Sequence, residues 1–239
     1  MKRLLSLVAL FALYVVEIMA SPGGRIARDL FDNPIGKVIA IVLAIIFFPI
    51  MIRSYIRRKK AYKNTRKKLA LLSKIDFELF DEINLKNRMT DVFTRVHKAW
   101  SERDLDNCET YMTNWYRQNQ QSVFLDEWDK KGMMNVCTIK ELKSVKPIHL
   151  RLSQNDNFEG SRIMYAIDAN MEDYLVNVED TSIVEGKKGF NDVETVWTLK
   201  LEDNSWKVDN IEQSEMVLNY MKMDSKATDQ IIENMLNLA

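Results

Sequence analysis

The run Val193–Gln213, VETVWTLKLEDNSWKVDNIEQ, decides how the rest of the chain is read. Val193, Thr195, Trp197, Leu199 and Leu201 fall on alternate positions, Asp203-Asn204 follows, and Trp206 and Val208 resume the alternation. Successive side chains of a strand point to opposite faces, and Asp and Asn tolerate the left-handed backbone of a tight turn. The run is a β-hairpin. Upstream, residues 162–178 alternate through Ile163, Tyr165 and Ile167 and are long enough for a bent strand. Residues 136–152 are rich in β-branched and apolar side chains, with Pro147 suited to an edge or a bulge. Between these strands and the hairpin, residues 181–191 carry Gly186, Lys187, Lys188 and Gly189 and read as a loop. About four antiparallel strands result.

Ahead of Gly132 the period changes from two to that of a helix. Leu69, Leu72, Ile75, Leu79 and Ile83 predict a connecting helix, and Val92, Phe93, Val96 and Trp100 the first helix of the domain. Cys108, Tyr111, Met112, Trp115 and Tyr116 mark the buried face of a second helix, with Asp104 or Asp106 as its cap. Phe124, Leu125 and Trp128 belong to a third, ending at Gly132. Residues 216–239 return to helix, with Ile231, Ile232, Met235 and Leu236 on one face. That face either docks back on the domain or takes a partner. Helices followed by strands define an α+β domain over residues 75–215.

The 239 residues carry 34 Lys+Arg and 34 Asp+Glu, and this balance hides a division at Lys68. Residues 1–68 are net +11 and residues 69–239 net −11. With 7 Gly, 4 Pro and 2 Cys, collagen-like and disulfide-scaffold classes are excluded. Lys2 and Arg3, the apolar run 4–16 and the small residues after it describe a signal peptide or a first membrane helix over 1–20. A polar external loop (21–34) leads to residues 35–52, eighteen residues whose sole charge is Lys37. This stretch reads as a transmembrane helix. Arg53, Arg57, Arg58, Lys59, Lys60, Lys63, Arg66, Lys67 and Lys68 follow without one acidic residue. Such a run (53–74 with its linker) keeps the following domain on the cytoplasmic side and places these nine side chains against anionic lipid. The same charges suit RNA phosphates, which a −11 body opposes, so a nucleic-acid partner is disfavoured.

Candidate chemistry is sparse. Cys108, Cys137, His97 and His149 would all have to converge to hold a metal, so no metal or cofactor is expected. Asp168, Tyr165, His149 and His97 are the candidates for acid–base work, yet Asp168 is out of phase with Ile163, Tyr165 and Ile167 and should face away from the core. His97 lies one step from Val96 on an amphipathic helix and should sit at the boundary of its apolar face. No Gly-rich phosphate loop or nucleophile elbow occurs, so no catalytic residue is assigned. Trp100, Trp115, Trp128, Tyr165, Trp197 and Trp206 are either ordinary core or the lining of an apolar pocket for an acyl chain, a small apolar ligand or a partner's side chain.

Residues 93–100 (FTRVHKAW) followed by Asp104-Leu105 resemble the opening helix of the domain of subunit 44 of the mitochondrial inner-membrane translocase, the Tim-44-like family. Residues 132–136 (GMMNV) are similar to that family's step into its first strand. Residues 171–178, Val184-Glu185-Gly186, Trp197-Thr198-Leu199 and residues 206–213 follow its order; Thr195 and Leu201 depart from it. The resemblance covers about residues 75–215. It implies a nuclear-transport-factor-2-like cone, helices packed on a strongly curved antiparallel sheet, behind one or two N-terminal membrane helices. It also implies a non-enzymatic scaffold at the bacterial inner membrane, serving protein partners in translocation, chaperone tethering or complex assembly. A ligand-binding or catalytic pocket and a ribosome or RNA tether are the alternatives on the same fold.

Overall fold

A computed structural model describes residues 34–155 and 157–238, without the side chains at 36, 37, 39–41, 44 and 238. The expected signal peptide or first span (1–20), and the external loop up to residue 33, lie outside the described residues. The chain divides into two compact units, one ending at Ile56 and one running from Arg57 to Ala239.

The hairpin is present with the expected turn. β4 (Asn191–Glu202) and β5 (Ser205–Gln213) pair antiparallel, with Glu202 opposite Ser205. Asp203 and Asn204 have φ of 55° and 58°, the double left-handed geometry whose twist suits a two-residue hairpin loop. β1 (Met133–Arg151) and β2 (Arg162–Asn177) are likewise antiparallel, and the sheet order is β1-β2-β4-β5. Three register shifts interrupt the β1–β2 ladder, the last between Pro147 and His149. Bulges bend and twist the strand that carries them, and they let the proline sit where no ladder donor is needed.

The expected loop 181–191 contains a fifth strand instead. β3 (Ile183–Gly186) pairs with Tyr174–Val176 of β2, past the stretch of β2 that β4 covers. Gly186 has φ +83°, and a Cβ there would lie 2.9 Å from the Asp173 carbonyl oxygen. Glycine is what permits that close approach.

Helix α1 (Pro34–Leu72) contains both the apolar stretch and the basic run. Among the described residues no helix is long and apolar enough to cross a membrane; six side chains of the 35–52 stretch fall outside them, so the span rests on the sequence. The expected connecting helix over 69–83 is broken. Asp76 caps a short α2 (Phe77–Phe80), and Asp81 caps α3 (Glu82–Glu102) by accepting from the N–H groups of Ile83 and Asn84. Ile75 and Ile83 are therefore exposed. α3 buries Leu85, Met89, Val92, Phe93 and Val96 and ends on Arg103 in the left-handed region.

The expected helix through Cys108–Tyr116 does not form as one piece. A 3-10 turn (Asp106–Cys108) gives way to backbone bonds between Tyr111–Thr113 and Val208, and helix α4 (Asn114–Gln120) starts only after Thr113 caps it. A π turn (Gln121–Leu125) and α5 (Asp126–Lys130) continue it to Gly132, the expected stop, at φ +64°. The C-terminal segment is two helices, α6 (Met216–Tyr220) and α7 (Lys226–Leu238), rather than one.

One core lies between the helices and the sheet, around Phe93, Tyr165, Trp197, Leu199 and Val208, and it takes in Leu69 and Leu72 of α1 and Ile232 of α7. A smaller cluster of Ile148, Met164, Ala166, Val196 and Val217 occupies the opposite face of β2 and β4, under α6. Both faces of β2 are thus covered, which explains its continuous burial through Ile163–Ile167.

Candidate functional site

The helices α3, α4 and α5 stand over the sheet and leave a cavity of about 490 Å³ to which all five strands contribute. α3 contributes His97 and Trp100 to its wall, and the α4–π–α5 segment contributes Tyr116, Gln120, Phe124 and Trp128. The sheet supplies Asn135, Met171, Asp173 and Trp197, with Glu185 and Gly186 from β3. Trp197 is buried, its indole N–H donating to Thr195 at 3.0 Å, and its ring lies 5.4 Å from the His97 ring and 5.1 Å from Phe93. The Phe124 and Trp128 rings are 5.9 Å apart.

Of the six aromatic residues expected at a pocket, Trp100, Trp128 and Trp197 line this cavity. Tyr165 and Trp206 are core residues away from it; the Trp206 indole donates to the Leu79 carbonyl at 2.9 Å. Trp115 is 66% exposed, because the helix begins one residue before it and the periodic stripe that included it is not a helix face.

His97 is not a boundary residue. It is 6% exposed, Nδ1 donates to the Phe93 carbonyl at 2.8 Å, and Nε2 is left as an acceptor. Burial lowers its pKa, against the Phe93 hydrogen bond and the nearby Asp173 charge, which favour protonation. His149 is also buried and pushed down, by desolvation and then by the Lys68 and Arg151 charges. Burial raises the Tyr116 and Tyr165 hydroxyls. Asp168 faces away from the core as expected: it accepts from Ser144 Oγ and lies 3.6 Å from Lys146.

Cys108 and Cys137 are free thiols pushed up by burial to about 11 and about 12. Such thiols stay protonated and unreactive near neutral pH. Among the described residues, no three His, Cys, Asp or Glu side chains are placed to hold a metal ion.

The basic run is less uniform than its sequence. Arg58 forms a two-pronged pair with Glu194, Arg66 pairs with Glu82 at 2.5 Å, and Lys68 pairs with Asp229 at 2.7 Å. Thr65, one turn from Leu69, is buried. Arg53, Arg57, Lys59, Lys60, Lys63 and Lys67 are exposed. The sequence marks nine equivalent cations; the fold divides them between docking and display.

No family model matches the sequence. No curated protein matches it either. Among solved structures, the intermembrane space region of chloroplast protein ARC6 is similar at 10% identity, over 56% of this chain and 98% of that one, with a TM-score of 0.40. A likeness at that level carries no functional argument. The Tim-44-like reading stays a resemblance.

Proposed function

We propose that the chain is a non-enzymatic adaptor anchored in the bacterial inner membrane, presenting a Tim-44-like cone domain to a protein partner on the cytoplasmic side. One observation carries the reading: α1 holds in a single helix an apolar stretch, a basic run and two residues of the domain core. Val38, Val42, Ile45, Ile46, Phe47 and Ile50 are exposed along it. Apolar side chains in that density need a nonaqueous cover. Eighteen residues at a rise of ~1.5 Å extend about 27 Å, close to the ~30 Å hydrocarbon layer, a length that supports a bilayer as the cover. The exposed cations that follow suit the anionic headgroups on the cytoplasmic side.

A scaffold reading is supported by the pocket chemistry as well. His97 Nδ1 donates its hydrogen bond to a backbone carbonyl, not to a carboxylate that would build up its basicity, and among the described residues no Ser or Cys lines the cavity. The test is topological. A reporter fused after Ala239 that functions only in the periplasm should stay silent, while one that functions only in the cytoplasm should be active. Periplasmic activity would overturn the orientation. Cross-linking in membranes followed by detergent extraction should recover a stoichiometric protein partner through the domain, and recovery of lipid alone would overturn the adaptor role.

A further inference from the structure

The cavity wall contains four side chains that are more than nine-tenths buried and polar: His97 (6% exposed), Tyr116 (4%), Gln120 (8%) and Asn135 (7%). Among the described residues, no hydrogen bond within the protein engages His97 Nε2, the Tyr116 hydroxyl or the two side-chain amides. Among the described residues the buried side-chain atoms without a partner are Arg117 Nε and Thr198 Oγ1, so these four groups are instead open at the cavity surface and leave it lined with hydrogen-bonding capacity for an occupant.

The charge around them is one-sided. Among the described residues no Lys or Arg lines the cavity, whereas Asp173 of β2 and Glu185 of the neighbouring β3 do. Neither carboxylate is in an ion pair among the described residues. Trp100, Trp128 and Trp197 supply aromatic faces in the same space.

We infer that this cavity binds a small organic cation with a flat aromatic body, an arylalkylammonium. The body stacks among the tryptophans, whose ring faces attract positive charge. The ammonium donates toward the carboxylates and the acceptors of the wall, His97 Nε2 among them. Burial holds that imidazole neutral and therefore accepting. An anion would meet carboxylates and no compensating cation, which opposes a fatty-acid carboxylate or a phosphate in this space. The inference stands apart from the adaptor reading, which concerns the anchor and a protein partner.

Isothermal titration of the full chain in detergent micelles, with micelles alone as reference, tests it through three probes of matched body: tryptamine, indole-3-ethanol and indole-3-acetate. Tryptamine should bind about tenfold more tightly than the alcohol, equivalent to ~1.4 kcal/mol, and the acetate more weakly still. The double substitution Asp173→Asn with Glu185→Gln should remove the preference for tryptamine over the alcohol. Both positions are exposed, so the melting temperature should stay unchanged. Acetate binding as tightly as tryptamine, no binding of any probe at millimolar concentration, or a preference that survives the double substitution would each overturn the inference.

Discussion

Replacing Arg88 by Ala should cost the domain about a third of a typical stability, although nothing in the sequence singles this residue out. Arg88 sits on α3 with its guanidinium half-buried. Nε donates to the Trp206 carbonyl at 2.8 Å, and Nη2 donates to Ser205 Oγ at 3.1 Å and to the Thr110 carbonyl. The guanidinium also lies 4.9 Å from the Tyr111 ring centroid. One side chain therefore joins the helix, the hairpin turn and the 3-10 segment. Three hydrogen bonds at about 1 kcal/mol each, after partial replacement by water, set the main loss. A cation–aromatic contact adds ~0.5 kcal/mol, for a total near 3.5 kcal/mol. At about 2–4 °C per kcal/mol for a body of this size, the melting temperature should fall by roughly 7–14 °C. Near-UV circular dichroism melts of the detergent-solubilised full chain measure it. Arg88→Lys should recover less than half of the loss, because an ammonium cannot reach the Trp206 and Thr110 carbonyls with a fixed fork. A fall of less than ~2 °C for Arg88→Ala would refute the reasoning, since the three contacts would then be replaceable by solvent.

Two other outcomes follow from the charges. In the body freed of its span (residues 53–239), the triple substitution Arg57→Ser, Lys60→Ser, Lys63→Ser should weaken sedimentation with anionic liposomes at low salt by about 1 kcal/mol per residue and leave the melting temperature unchanged. Arg58→Ser should instead lower the melting temperature, because Arg58 holds Glu194; equal effects of the two variants would contradict the division of the run into docked and displayed cations. Burial lowers the pKa of His97, against the Phe93 carbonyl and Asp173, so the unfolded chain takes up that proton first as pH falls. The stability tied to neutral His97 is therefore complete above ~6.5 and is lost as pH drops from there toward the lower folded value. Thermal melts between pH 7.5 and 5.5 should show this decline, and His97→Gln should make it shallower, the remainder belonging to His149, which burial also pushes down; a wild-type profile that does not change over that range would be the wrong result.

The hairpin was legible because its alternation and its Asp203-Asn204 turn are local signals that agree. The stop at Gly132 and the bulge near Pro147 were legible for the same reason. Trp115 was misplaced because spacing alone cannot register that Tyr111–Thr113 is drawn into backbone bonds with Val208, almost a hundred residues away. β3 was hidden by Gly186 and Gly189, which read as loop, while the β-branched pair Ile183-Val184 was the signal that could have exposed it. The break between α6 and α7 was written in Asp224-Ser225, two capping residues directly before Lys226. Of the cavity, three tryptophans and His97 were visible, but the rest of its polar wall was not. His97, Tyr116, Gln120 and Asn135 come from three different elements, and only the packing of α3 and α4 against β1 brings them to one space.

The π turn at Gln121–Leu125 makes part of that wall depend on arithmetic. The Asp126 N–H reaches back five residues to the Gln121 carbonyl, so the helix accommodates one more residue than an α-helix would in the same rise. Each residue of an α-helix turns the chain by about 100°, and the wider turn absorbs the extra one, so Tyr116 and Gln120 before it and Phe124 and Trp128 within and after it all line the cavity. Deleting any single residue in that five-residue window would restore an ordinary helix with its two halves still in phase, but would remove the wide turn that carries Phe124 to the wall, with scarcely a change in composition. In an alignment of related chains, a one-residue gap at this place would therefore say more about what the cavity accepts than a substitution at any of the aromatic positions.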